Sequence, residues 1–302
     1  MASIAATPPA SRHGFGIAMV LGAGAIWSVA GPLVRAVDAA SVWQILFYKS
    51  LWMVVTLGLA MAVRHRRRLW AELIGGWRWT LAGGVCLAGS STFWILSITS
   101  TTVANTLLVQ AATPLVAALM AWVLLGERVA RSTRLAMGVA LAGVAIMVGD
   151  GALDHRLFGN VAAILAVVCF AAFSVSLRAG RAGDMTASLC LGGLIAMAVA
   201  ATFAADGLSI SLHDHVVCFT MGSVETGLGL LMYTIGARHV LAAELALLAM
   251  AEVFFGPLLT WLLFGETPSA GTLLGGVLVI TAIAAEAVQA LRRAPRVQSY
   301  RA

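Results

Sequence analysis

The stretch "AWVLLGERV" (residues 121–129) ends a long apolar run on Gly126-Glu127-Arg128, and "TWLLFGETP" (260–268) ends another in nearly the same way. Arginines follow the first stop at 128, 131 and 134, and none follows the second before residue 292. What the two runs are, and why only one copy carries charge, decides the fold.

The chain of 302 residues is 61% hydrophobic and only 11% charged. Soluble domains carry roughly 25% charged residues, because a wetted surface needs them. A chain of this length with so little charge reads as a polytopic membrane protein. Crossing a bilayer takes about 20 predominantly apolar residues. Ten windows qualify: 15–36, 41–63, 77–98, 102–125, 132–149, 157–178, 184–205, 214–236, 240–264 and 270–290. They use almost the whole chain. The first 14 residues, with Pro8, Pro9 and Arg12, read as a short tail. The first window has no convincing cleavage site and reads as a retained helix rather than a signal peptide.

The excess of positive charge, +6 overall, follows position rather than a nucleic-acid partner. With the N-terminus in the cytoplasm, Arg35 and Arg156 fall outside and Lys49 lies within a window. The remaining sixteen of the 19 lysines and arginines fall inside. Positive charge retained in short cytoplasmic loops sets such an orientation. It places both termini in the cytoplasm of a multi-pass protein of the cell inner membrane. Cys86, Cys169, Cys190 and Cys218 are scattered singly through the windows. They suggest neither a metal nor a redox centre, and no cofactor is expected.

Sliding the chain by 139 residues superposes the two Gly-Glu stops and gives ten identities in 32 positions across 104–135, among them Ala104/Ala243, Leu108/Leu247, Trp122/Trp261 and Glu127/Glu266. A slide of 143 pairs Gly16 with Gly159 and Arg35 with Arg178. The chain therefore divides into two five-helix halves, 1–150 and 151–302. Five is odd, so the second half enters the membrane from the opposite side. Inverted repeats with a site near the bilayer midplane are a mark of secondary transporters, whose halves exchange conformations to give alternating access.

At this point the chain resembles the drug/metabolite transporter superfamily, and more narrowly its EamA-type exporters. "IWSVAGPLVRA" (26–36) is similar to the family's first helix, with a Trp, a small residue and a later Pro. "TPLVAALMAWVLLGER" (113–128) and "GPLLTWLLFGET" (256–267) look like its signature helices. The second half departs from the pattern: "CFAAFSVSLRAG" (169–180) lacks the Trp and Pro, and Glu252 stands opposite Thr113. The resemblance implies an all-α integral membrane protein with ten transmembrane helices as two inverted repeats. It also implies export of amino acids or other small organic solutes, and a structural or topological role for Glu127 and Glu266.

Ionisable groups at bilayer depth cost roughly 2.5–3.5 kcal/mol on insertion scales, so they face a cavity or a partner. Lys49, Glu225 and Glu252 are such groups and read as a binding pair or relay, with a structural ion pair as the alternative. Asn105, Gln110 and the aromatics Trp27, Tyr48, Trp94 and Tyr233 complete the expected substrate site. Glu244 and Arg238 read as a gate or ion pair at the cytoplasmic side. An ammonium, carboxylates and aromatic rings suit a zwitterion with an apolar side chain, an aromatic amino acid foremost. A multidrug or cationic-compound exporter is the alternative, with the glutamates dominant and Lys49 structural.

The rival classes are weaker. An intramembrane enzyme needs a nucleophile–base pair or metal ligands at depth, yet all six histidines lie in tails, loops or helix ends. No GxxxxGK[ST] pattern for ATP-driven pumping occurs. A channel is separated from a carrier only by flux. The expected partners are a small-molecule solute and the lipid bilayer, with no nucleic acid. The sequence is also compatible with a homodimer.

Overall fold

The apolar windows fold as helices, and two of them are broken where proline forbids the regular ladder. A computed structural model describes residues 10–64, 77–126, 131–153, 156–179, 186–205, 207–237, 239 and 242–293. Among the described residues every regular element is helical. In chain order these are α1 (Ala10–Trp27), α2 (Ala30–Arg35), α3 (Val42–Arg64), α4 (Trp77–Ser100), α5 (Val103–Gln110), α6 (Thr113–Leu125) and α7 (Arg131–Leu153). There follow α8 (Leu157–Ala179), α9 (Thr186–Phe203), α10 (Leu212–Phe219), a π-helical segment (Thr220–Leu228), α11 (Gly229–Ala237), α12 (Ala242–Phe264) and α13 (Ala270–Arg293). Each of the ten windows holds one helix or a broken one. Six helical stretches are long and apolar enough to cross a membrane, and four more are shorter apolar helices.

The repeated stop has a backbone cause. Gly126 and Gly265 adopt φ of +66° and +68°, the left-handed conformation that closes helices and that only glycine enters without strain. The amide of Gly265 donates back to the Trp261 carbonyl at 2.9 Å. Both copies therefore end their helices by the same device.

The breaks follow from local chemistry. Pro32 lacks an N–H and crowds the preceding turn, and the chain turns at Ser28–Val29 between α1 and α2. Pro114 likewise frees the Gln110 carbonyl, which accepts the Thr113 hydroxyl at 2.6 Å. That carbonyl thus has a partner inside the break. Pro257 lies within α12 without interrupting it.

Helix starts are capped in the expected manner. The Thr102 hydroxyl accepts from the Asn105 amide at 3.2 Å, and that of Ser211 from the Asp214 amide at 3.0 Å. Ser41 and Gln44 form a reciprocal capping box at the start of α3. Gln44 Nε2 also donates to the carbonyls of Gly207 and Ser209 at 3.0 and 3.1 Å, which ties α3 to the loop before α10.

The most extensive contacts join helices from the two ends of the chain. α4 packs along α8, α7 along α13, α9 along α3 and α4, and α1 along α11 and α12. Glycines allow the closest approaches. Cβ atoms added to Gly143 and Gly275 would strike each other's backbone carbonyls, and one on Gly222 would strike the Lys49 carbonyl. The large exposed apolar side chains, such as Val123, Leu135, Leu262 and Leu274, suit a lipid-facing periphery.

Candidate functional site

Lys49 rises from the first half of α3, and Glu225 from the middle of the π-helical segment. The wider turn of a π-helix displaces side chains from the register an α-helix would give them, which is why such turns recur at functional sites. Gly222 lets that segment press against the backbone at Lys49. The result is an ion pair, Lys49 Nζ to Glu225 Oε2 at 3.6 Å, with side chains 12% and 8% exposed. The same ammonium stands 4.1 Å from the centroid of the Trp94 ring, and Trp94 itself is buried on α4. One positive charge is thus held between a carboxylate and an aromatic face, both of which favour it. The Thr226 hydroxyl donates to Glu225 Oε2 at 2.6 Å, so that oxygen has two partners.

Glu252 on α12 is partly buried. It lies near enough for the charges of Glu225 and Lys49 to act on its carboxylate, Glu225 more strongly. Three helical elements therefore bring one ammonium and two carboxylates into one electrostatic neighbourhood.

The aromatics divide into two groups. Trp27, at the break after α1, packs on Tyr233 of α11 with centroids 5.2 Å apart, and Gly229 leaves the space its indole fills. Tyr48 instead turns toward the loop before α10: its hydroxyl donates to the Leu208 carbonyl at 2.7 Å, and its ring meets His215 at 4.9 Å. Trp52, three residues beyond Lys49, meets both His215 and Phe219. Its indole N–H is buried with no protein acceptor. Tyr48 and Trp52 thus form a second aromatic cluster beside Lys49.

Asn105 is 2% exposed and belongs to a polar cluster. Its Nδ2 donates to Asn160 Oδ1. The Thr101 hydroxyl reaches the same Asn160 oxygen at 3.1 Å, and Ser97 and Thr106 share a hydrogen bond of 2.8 Å nearby in the chain. This network joins the end of α4, the start of α5 and the start of α8. Gln110 lies at the α5–α6 break, half-buried. The side chain of Glu244 and all of Arg238 lie outside the described residues, as do Glu127 and the side chain of Arg178.

Three residues missed in the sequence matter here. Asn160 is fully buried, and a lone asparagine in an apolar window was its signal. Trp52 was signalled by its three-residue spacing from Lys49. Asp214 had none: its carboxylate accepts from the backbone amides of Asp38, Ala39 and Ala40 at 2.8, 3.2 and 3.0 Å. Asp38, His213 and Asp214 bring possible ligand atoms within 4.8 Å of one another. Both Asp214 oxygens are taken by amides, however, and His213 Nε2 lies 2.9 Å from the Ala36 carbonyl. This cluster fastens a loop.

A further ion pair lies at the far end of α2. Arg35 Nε donates to Glu266 Oε2 at 2.7 Å, and its other nitrogens donate to the carbonyls of Ile98 at 2.9 Å and Thr101 at 3.0 Å. Glu266 Oε1 accepts the Val103 amide at 2.5 Å.

Comparison with known proteins agrees with this architecture. One solved structure, described only as a protein crystal structure, superposes with a TM-score of 0.66 over 92% of this chain and 98% of its own, at 19% identity. That likeness concerns the fold. No curated protein matches the chain. Residues 14–149 match the model of the EamA-like transporter family. The first half of the chain thus resembles the EamA-like transporters, and the long apolar helical stretches mark a multi-pass membrane protein.

Proposed function

We propose that this protein is an EamA-type secondary transporter that exports small zwitterionic metabolites across the inner membrane by alternating access, aromatic amino acids foremost. In this reading the chain forms ten transmembrane helices in two inverted halves, 1–150 and 151–302, with both termini cytoplasmic. The observation that carries the substrate class is Lys49, held 3.6 Å from Glu225 and 4.1 Å from the Trp94 ring centroid. An amino acid offers a carboxylate to replace Glu225 beside Lys49. It also offers an ammonium to take over Glu225 or Glu252, and a ring to stack near Trp27, Trp94 and Tyr233. Exchange of one ion pair for two of the same kind avoids leaving a bare charge in a low-dielectric site.

Glu252 supports a second reading. A second carboxylate near the Lys49–Glu225 pair gives the neighbourhood surplus negative charge, which would suit a cationic amine or drug.

Proteoliposomes separate the two. L-phenylalanine and tyramine, alike except for a phenol hydroxyl and the carboxylate, are compared as substrates of the wild type, Lys49→Ala, Glu225→Gln and Glu252→Gln. The zwitterion reading expects saturable, counter-flow-stimulated phenylalanine uptake that Lys49→Ala abolishes. Tyramine uptake that survives Lys49→Ala and is lost in Glu252→Gln selects the cation exporter. Wild-type rates in both Lys49→Ala and Glu225→Gln would remove the assigned site.

A further inference from the structure

We propose that Arg35 and Glu266 form a latch that shuts the bundle at the end opposite the N-terminus, and that a solute leaves by that end only when the pair separates. This rests on the family's transport role and not on which solute is carried. The α1–α2 arm runs from Ala10 to Arg35, so Arg35 is the last helical residue of an arm already broken at Ser28–Val29. Glu266 directly follows Gly265, whose positive φ ends α12. Their 2.7 Å contact therefore joins the tip of a jointed arm to the turn between α12 and α13.

The groups around the pair are of a kind that separates cleanly. Ile98 and Thr101 offer carbonyls at the end of α4, and Val103 offers an amide at the start of α5. Helix ends leave such groups without intrahelical partners, and water satisfies them as well as a side chain does. Arg35 and Glu266 are 25% and 19% exposed, so water already reaches the edge of the pair and neither charge is stranded when it parts. Beneath the latch Val34, Ile98 and Val103 belong to a dry cluster that also contains Trp94 and Cys218. Gly31 seats α2 so closely between α5 and α12 that an added Cβ would strike Val103 and the Thr260 hydroxyl. Moving the arm tip therefore opens the apolar plug that separates Trp94, and Lys49 over it, from that end.

Cys218, completely buried in this plug, is a native reporter. With the other three cysteines replaced by serine, the full chain in nanodiscs is exposed to a hydrophilic methanethiosulfonate ammonium reagent. Glu266→Gln is expected to speed Cys218 modification about tenfold, the effect of losing a charge-assisted hydrogen bond. Asn160→Ala, which loosens a different buried network, serves as a control matched in melting temperature. Equal modification rates in wild type and Glu266→Gln overturn the latch. So does a rise no larger than that of the matched control, which marks a purely structural pair. A second arm joins Arg35→Cys to Glu266→Cys with a reducible bis-methanethiosulfonate linker in proteoliposomes. Phenylalanine uptake should stop on linking and return with reductant, and uninterrupted uptake overturns the proposal. If the wild type carries no phenylalanine, the substrate reading fails while the labelling arm still decides the latch.

Discussion

Lys49 and Glu225 show how a membrane interior tolerates charge, and what it costs to disturb it. Both side chains are close to fully buried, so removing one leaves the other without a counter-charge, at roughly 3–5 kcal/mol. Removing both leaves neither charge of the pair unpartnered, and so a smaller loss. Glu225→Gln and Lys49→Met should each lower the melting temperature in detergent, and the double variant should fall by less than their sum. Strict additivity in that cycle would mean the two side chains do not interact. Trp94 limits the damage in Glu225→Gln, because its ring face still attracts the ammonium. Asn105 and Asn160 solve the same problem without charge, by pairing amides across α5 and α8.

At the scale of elements, the joints matter more than the rods. The π-helical segment lies where Gly222 touches α3, and a methyl there collides with the Lys49 backbone. Gly222→Ala should destabilise by about 1–3 kcal/mol, as overpacked cores do, and should disturb the Lys49–Glu225 pair. Gly58→Ala, on α3 with open space around it, should be neutral or stabilising, and thermal melts of the two compare them directly. The helices themselves were legible, because an apolar run of twenty residues has few other fates. Lys49, Glu225 and Trp94 stood out as charged and aromatic groups inside apolar windows, and they lie together in the structure. The π-helical turn was not legible, since no residue type demands one. Nor was the partnership of Arg35 with Glu266, residues 231 apart, which the charge pattern presented only as markers of orientation. Tyr48 illustrates another limit: its ring sits beside the site residues, but its hydroxyl serves a loop.

For the whole molecule, contacts between the two halves dominate the packing: α4 on α8, α7 on α13, α3 on α9. The inverted arrangement proposed above makes a prediction of sidedness. Arg131 starts α7 and Arg156 immediately precedes α8, so the two flank one apolar stretch. In intact cells an impermeant thiol reagent should label Arg156→Cys and should reach Arg131→Cys only after permeabilisation. The reverse pattern would invert the orientation, and labelling of both from outside would remove α7 from the membrane.

The pairing of Lys49 with Glu225 also has a history within each newly made chain. Glu225 follows Lys49 by about 180 residues, which at about 5–20 residues per second is roughly 10–35 s of synthesis. During that interval α3 must reside in the bilayer with its ammonium lacking the acid that later meets it. Trp94 follows Lys49 by only about 45 residues, so the indole is available within roughly the first quarter of the wait. Its aromatic face, 4.1 Å from that ammonium in the folded chain, is the earlier-made of the two groups that favour the charge.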